Sequence, residues 1–123
     1  MKSSTYILIP ATQFGVEQEN YNGVDPSFNG VPVKAAGYYS RFKSLHTTSW
    51  HLHDFIGTLV IEATLDEDPD TTNYFPVTTE VEGILGTPNN DNTTENIQGK
   101  FTWIRASITD FIAGAITKVV VSY

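Results

Sequence analysis

Gly57-Thr-Leu-Val-Ile-Glu-Ala-Thr-Leu65 repeats with a period of two. Leu59, Ile61, Ala63 and Leu65 share one side, and Thr58, Val60, Glu62 and Thr64 share the other. Neighbouring side chains on a strand point to opposite faces, so this stretch predicts a half-buried β-strand with one face on a core. Asp66-Glu67-Asp68-Pro69-Asp70 follows directly. Clustered charge and proline cannot continue a ladder, so the strand ends there.

The same grammar extends in both directions. Ser3–Ile9 is β-branched and aromatic and reads as a first strand, Val31–Tyr39 as a second, and Ser49–His53 as a short one. Tyr74–Val77 begins another, with Pro76 marking a sheet edge. Gly83–Asn96 reads as a polar loop rich in Asn and Thr. Phe101–Thr109 is apolar on both faces early on, as in a central strand, and Ala115–Tyr123 carries Val119, Val121 and Tyr123 on one face. The Gly-containing stretch Asp110–Gly114 between them predicts an antiparallel hairpin. No segment sustains a 3.6-residue apolar period. Six to eight short strands joined by turn-rich loops predict an all-β domain, an antiparallel β-sandwich or a barrel.

Residues 10–30 stand apart as a long irregular loop or arm. Asn22-Gly23, Asp25-Pro26 and Asn29-Gly30 are turn signals, and Phe14, Val16, Tyr21 and Phe28 supply apolar anchors. Loops of this length in a compact domain either pack on their own domain or serve a function, here as an arm on a neighbouring subunit.

The chain has 123 residues, the size of one domain, with 40% apolar and 17% charged residues. Fourteen acidic against seven basic side chains give a formal charge of −7. Such a surface is repelled by phosphate backbones and by anionic lipid, so neither nucleic acid nor membrane is an expected partner. The apolar run Tyr6–Ile9 stops at Pro10, so no secretory signal is expected. There is no Cys, which excludes disulfides, thiolate nucleophiles and cysteine-based metal sites.

Catalytic and metal patterns are weak. His51 and His53 share a strand face near Asp54 and Glu62, but a catalytic zinc site needs three protein ligands. Asp66, Asp68 and Asp70 begin like a calcium loop. The frame then breaks, with Thr71 where Gly belongs and Val77 where a bidentate Glu belongs. There is no Gly-x-Ser-x-Gly elbow and no Gly-rich phosphate loop. No cofactor, metal or catalytic residue is therefore assigned, and the expected role is interaction rather than catalysis. The candidate interface or ligand surface comprises Tyr38, Tyr39, Arg41 and Trp50, with Phe14 and Tyr21 from the long loop. Trp50, Trp103, Tyr38 and Tyr39 read either as core or interface packing or as an aromatic platform for a sugar ring. Between Ser44 and Gly99 lie ten acidic residues and no Lys or Arg. With Lys34, Arg41 and Lys43 just before it, that asymmetry reads either as ordinary solubility or as complementary patches for head-to-tail contacts.

The block Gly99-Lys-Phe-Thr-Trp-Ile-Arg-Ala-Ser-Ile-Thr109, with Phe111-Ile-Ala-Gly-Ala-Ile-Thr-Lys-Val119, resembles small virion structural proteins of tailed bacteriophages. Gly57–Leu65 followed by Tyr74-Phe75 resembles the same proteins, so the similarity spans residues 37–123. It implies a jelly-roll-like antiparallel β-sandwich on the particle, as a head decoration protein or a tail or neck component. It also implies other virion proteins as partners, a homo-oligomeric state, and residence in a virion assembled in the host cytoplasm. A carbohydrate-binding sandwich for host attachment is the alternative. Arg105 shares a face with Phe101 and Trp103, where it can stack or pair with a carboxylate.

Overall fold

Two strands of 20 residues each, β5 (Leu45–Thr64) and β9 (Trp103–Ser122), form the centre of the molecule. They run antiparallel along almost their whole length, from Thr47↔Ser122 to Thr64↔Trp103. The computed structural model describes residues 5–39 and 45–123. Short strands flank the central pair. On the free side of β9 lie β1 (Thr5–Ile9), β2 (Thr12–Gln13), β3 (Phe28–Asn29) and β4 (Val33–Lys34). On the free side of β5 lie β6 (Phe75–Pro76), β7 (Val81–Gly83) and β8 (Asn92–Gln98). A 3₁₀ turn covers Ala36–Tyr39. The protein is thus all-β, and every strand pairing is antiparallel.

A straight strand of this length would span roughly 65 Å at about 3.3 Å per residue. The ends of β5 instead come together. The ring of His46, near its start, lies 5.7 Å from that of Phe101. The adjoining Thr102 donates its N–H to the carbonyl of Thr64 at the strand's far end. The ends of β9 meet as well, because the Tyr123 hydroxyl donates to the carbonyl of Lys34, which pairs with Trp103. One hydrogen-bonded sheet is therefore folded back on itself, and its two halves enclose the core.

The fold line is local and identifiable. Asp54 has φ 48° and Asp110 φ 54°, and the β5–β9 register shifts repeatedly between His51 and Thr58. Bulges of this kind bend a ladder without ending it. Asp110–Gly114 is accordingly a bend within one strand, not the hairpin turn that its composition predicts. The partner β5 bends in parallel with β9 and holds the ladder together across the corner. Ser49–His53 and Gly57–Thr64 likewise belong to a single strand.

Leu59, Ile61 and Ala63 are buried as their alternation predicts, facing Ile108, Ala106 and Ile104 across the ladder. Leu65 lies beyond the strand end and is exposed. Pro76 sits in a two-residue edge strand. The polar segment read as a loop holds the first five residues of the strand β8, whose Asn92–Gln98 pair with Leu45–His51. Just before it, Asn89 exchanges two backbone hydrogen bonds with Phe55, and Asn90 Oδ1 accepts from the Asp54 N–H. These asparagines satisfy backbone groups that the bend in β5 leaves without ladder partners.

Residues 10–30 pack along β9 of the same chain. Phe14 N–H donates to the Gly114 carbonyl, Phe111 N–H to Pro26, and Gly30 N–H to Ala106. Tyr21, Phe28, Phe55 and Phe111 meet at the bend, with ring centroids 4.9–6.3 Å apart where they touch.

Candidate functional site

Strand parity divides the second half of the sheet into an inner and an outer face. Ile104, Ala106 and Ile108 point inward, so Trp103 and Arg105 point outward. Register then selects their neighbours. Arg105 opposes Glu62, Trp103 opposes Thr64, and Lys34 opposes Trp103.

On this outer face Arg105 Nε donates to Glu62 Oε1 at 3.0 Å, with both side chains about four-fifths buried. The Arg105 guanidinium lies 3.8 Å from the centre of the Tyr74 ring. A cation over an aromatic face gains electrostatic stabilisation, more when it is partly desolvated. Burial pushes the Tyr74 hydroxyl above its ordinary pKa. Arg105 opposes that shift, while Asp70, Glu62 and Asp68 add to it. The same hydroxyl donates to the Pro69 carbonyl.

Trp103 carries the next part of the ridge. Its indole N–H donates to the Glu67 carbonyl at 2.9 Å, and its ring meets that of Tyr38 edge-on at 5.4 Å. Lys34 Nζ lies 4.5 Å from the centre of the Tyr38 ring, which is 43% exposed. Lys34, Tyr38, Trp103, Arg105 and Tyr74 thus form a continuous ridge of rings and cations on a rigid sheet, bordered by the acidic turn.

That turn satisfies its own leading carboxylate. Asp66 accepts from the Thr71 hydroxyl and from Asn73 Nδ2. These hydrogen bonds hold its pKa below the ordinary carboxylate value, the Thr71 bond contributing most. Asp68 Oδ1 accepts from the Asp70 N–H. The histidines are dispersed. His46 is buried and accepts from the Ala36 N–H at Nε2. His51 contacts Asn92 Oδ1 through Nδ1 and Ser49 Oγ through Nε2, and His53 lies 3.4 Å from Asp54. Among the described residues, no three His, Asp or Glu side chains cluster to hold a metal ion. An open groove of about 440 Å³ between β2, the turn at Val16–Gln18 and β9 is lined mainly by Thr, Gln and apolar side chains, with Glu17 its one ionisable group.

The structure separates the candidate surface residues read from sequence. Tyr38 is on the ridge. Phe14 is 44% exposed and lies edge-on to Phe111 at the bend. Trp50 and Tyr21 are buried, at 3% and 1% exposure, and belong to the core rather than to a surface. Trp50 alternates with His46, Thr48 and Leu52 on the inner face of β5, and Tyr21 closes the aromatic cluster at the bend. Arg41 lies outside the described residues, as does the side chain of Tyr39. Lys34, Trp103, Arg105 and Tyr74 complete the ridge, with Glu62 holding Arg105. The pairing of Arg105 with a carboxylate was foreseeable from its strand face, but the identity of Glu62 depends on register.

No protein-family model matches the chain, and no curated protein matches it.

Proposed function

We propose that this protein is a non-enzymatic structural component of a tailed-bacteriophage virion, a capsid decoration protein that binds other virion proteins. It would be carried in the particle after assembly in the host cytoplasm. The sequence resemblance over residues 37–123 motivates the reading. The observation that carries it is the ridge of Lys34, Tyr38, Trp103, Arg105 and Tyr74 on the outer face of the sheet. Protein interfaces are enriched in Tyr, Trp and Arg, and these side chains dominate binding energy when they are already held in place. Here the ion pair to Glu62 and the hydrogen bond to Glu67 hold two of them. A tail or neck position is the same reading at another place on the particle.

Quantitative mass spectrometry of purified particles tests it. The expected result is this protein at a copy number matching capsid symmetry, falling at least tenfold for a folded Tyr38→Ala, Arg105→Ala double variant. Expression in the host without incorporation into particles overturns the reading.

The edge-on pair Tyr38–Trp103 supports a second reading, a glycan-binding surface for host attachment, because sugar rings stack on exposed aromatics. Glycan-array binding that is lost in Tyr38→Ala, without particle incorporation, would favour it.

A further inference from the structure

Natural sheets blunt their free edges with proline, lysine, bulges or very short strands, because an unpaired edge is a template for another strand. Three edges here follow that rule. β1 carries a register shift between Ile7 and Ile9, β6 is two residues long and contains Pro76, and β7 is three residues long. β8 does not. Its seven residues, Asn-Thr-Thr-Glu-Asn-Ile-Gln, hold no Pro and no Lys, and they pair with β5 in unbroken register. Among the described residues β8 pairs with β5 alone, and Asn92, Thr93, Thr94, Asn96 and Gln98 are exposed.

The orientation of the edge follows from its bonds to β5. The Glu95 carbonyl accepts from the Thr48 hydroxyl, and the Asp91 carbonyl accepts from the Leu52 N–H. Odd-numbered residues therefore aim their backbone groups at β5. Asn92, Thr94 and Asn96 aim theirs at the open side.

We infer that this edge binds β8 of a second copy, antiparallel about a two-fold axis through Thr94, joining two sheets into one. Charge disfavours the two adjacent registers. With Thr94 opposite its own copy, Asn92 faces Asn96, Thr93 faces Glu95 and Asp91 faces Ile97, so no carboxylate opposes another. A slip that centres the axis on Glu95 sets two glutamates face to face, and one that centres it on Thr93 sets Asp91 against Glu95. Like charges directly opposite across a ladder are destabilising. A two-fold contact of this kind is self-complementary and closed. The inference stands on the edge alone and does not depend on the virion reading.

The test uses the full chain in solution. Light scattering should give twice the 13.6 kDa chain mass at high concentration. Thr94→Pro removes an outward N–H from an exposed edge position and should yield a folded monomer by circular dichroism. Thr94→Lys and Thr94→Glu each place like charges on the axis, and each should weaken dimerisation roughly two- to fivefold. Mixing the two should restore association as a heterodimer. A wild-type chain that stays monomeric at every concentration overturns the inference. So does a dimer as strong in Thr94→Lys and in Thr94→Glu as in the wild type, because position 94 would then not face itself.

Discussion

Gly114 lies against the backbone of Asp54. A methyl group placed on Gly114 would sit 2.1 Å from the Asp54 carbonyl oxygen, and Gly114 has φ 87°. Two positions 60 residues apart in sequence thus meet where β5 and β9 bend together. Gly114→Ala combines left-handed backbone strain with a collision against main chain that has no free rotamer to relieve it. It should cost about 3 kcal/mol. Gly86 has nearly the same φ, 85°, but a methyl group placed there would meet nothing within 4 Å. Gly86→Ala should cost only about 1–2 kcal/mol, the backbone term alone. Chemical denaturation of both variants checks the difference, and equal losses would refute the close approach.

Phe111 touches Phe14, Tyr21, Phe28 and Phe55, and it is fully buried. It therefore joins the long 10–30 segment to the bend. Phe111→Ala should destabilise the fold by about 3–5 kcal/mol, because no small rearrangement refills a cavity walled by four rings. Phe14→Ala removes a half-exposed ring and should cost about 1 kcal/mol. Thermal unfolding followed by near-ultraviolet circular dichroism distinguishes the two.

Legibility in the sequence followed burial. Leu59, Ile61 and Ala63 alternate against polar neighbours and are core residues. The strand β8 carried no such contrast, because an edge strand that buries Ile97 alone needs no apolar period. Asp54, Asp110 and Gly114 share the composition of reversing turns. Whether such residues reverse a chain or only bend it is decided by the partner strand, which a single segment does not encode. Trp50 was different. Its alternation with His46, Thr48 and Leu52 was present in the sequence, and only its aromatic character drew it toward a surface reading. The ridge was half visible: the face of Arg105 followed from parity, while Glu62 and Tyr74 came from register and from the path of the acidic turn.

Asp66 offers a check on that turn. Its pKa is lowered chiefly by the Thr71 hydroxyl. A lowered carboxylate contributes stability above its unfolded pKa and loses it as the pH falls through the folded value. Thr71→Val should therefore move the Asp66 pKa up toward the ordinary carboxylate value and flatten the acid limb of stability below about pH 4. Carboxyl NMR titration measures the shift directly. An unchanged Asp66 pKa in the variant would show that the hydrogen bond is not formed in solution.

Tyr74 reports on the ridge at the opposite end of the pH scale. Its hydroxyl is held above the ordinary value first by burial, and Arg105 pulls it down while Glu62 and the turn aspartates push it up. A phenol whose folded pKa is raised contributes stability in full below the unfolded value near pH 10, and that contribution fades as the pH rises through the folded value. Arg105→Gln keeps much of the side chain's volume and removes the cation over the ring, so the Tyr74 pKa should rise further. Glu62→Gln removes an anion and should lower it. The chain has six tyrosines, so the tyrosinate titration of each variant must be compared with the same variant carrying Tyr74→Phe. Opposite shifts in the two variants would establish that Glu62, Arg105 and Tyr74 act as one electrostatic unit on the outer face. Shifts of the same sign would mean that loss of packing, which exposes Tyr74 in either case, outweighs the charges.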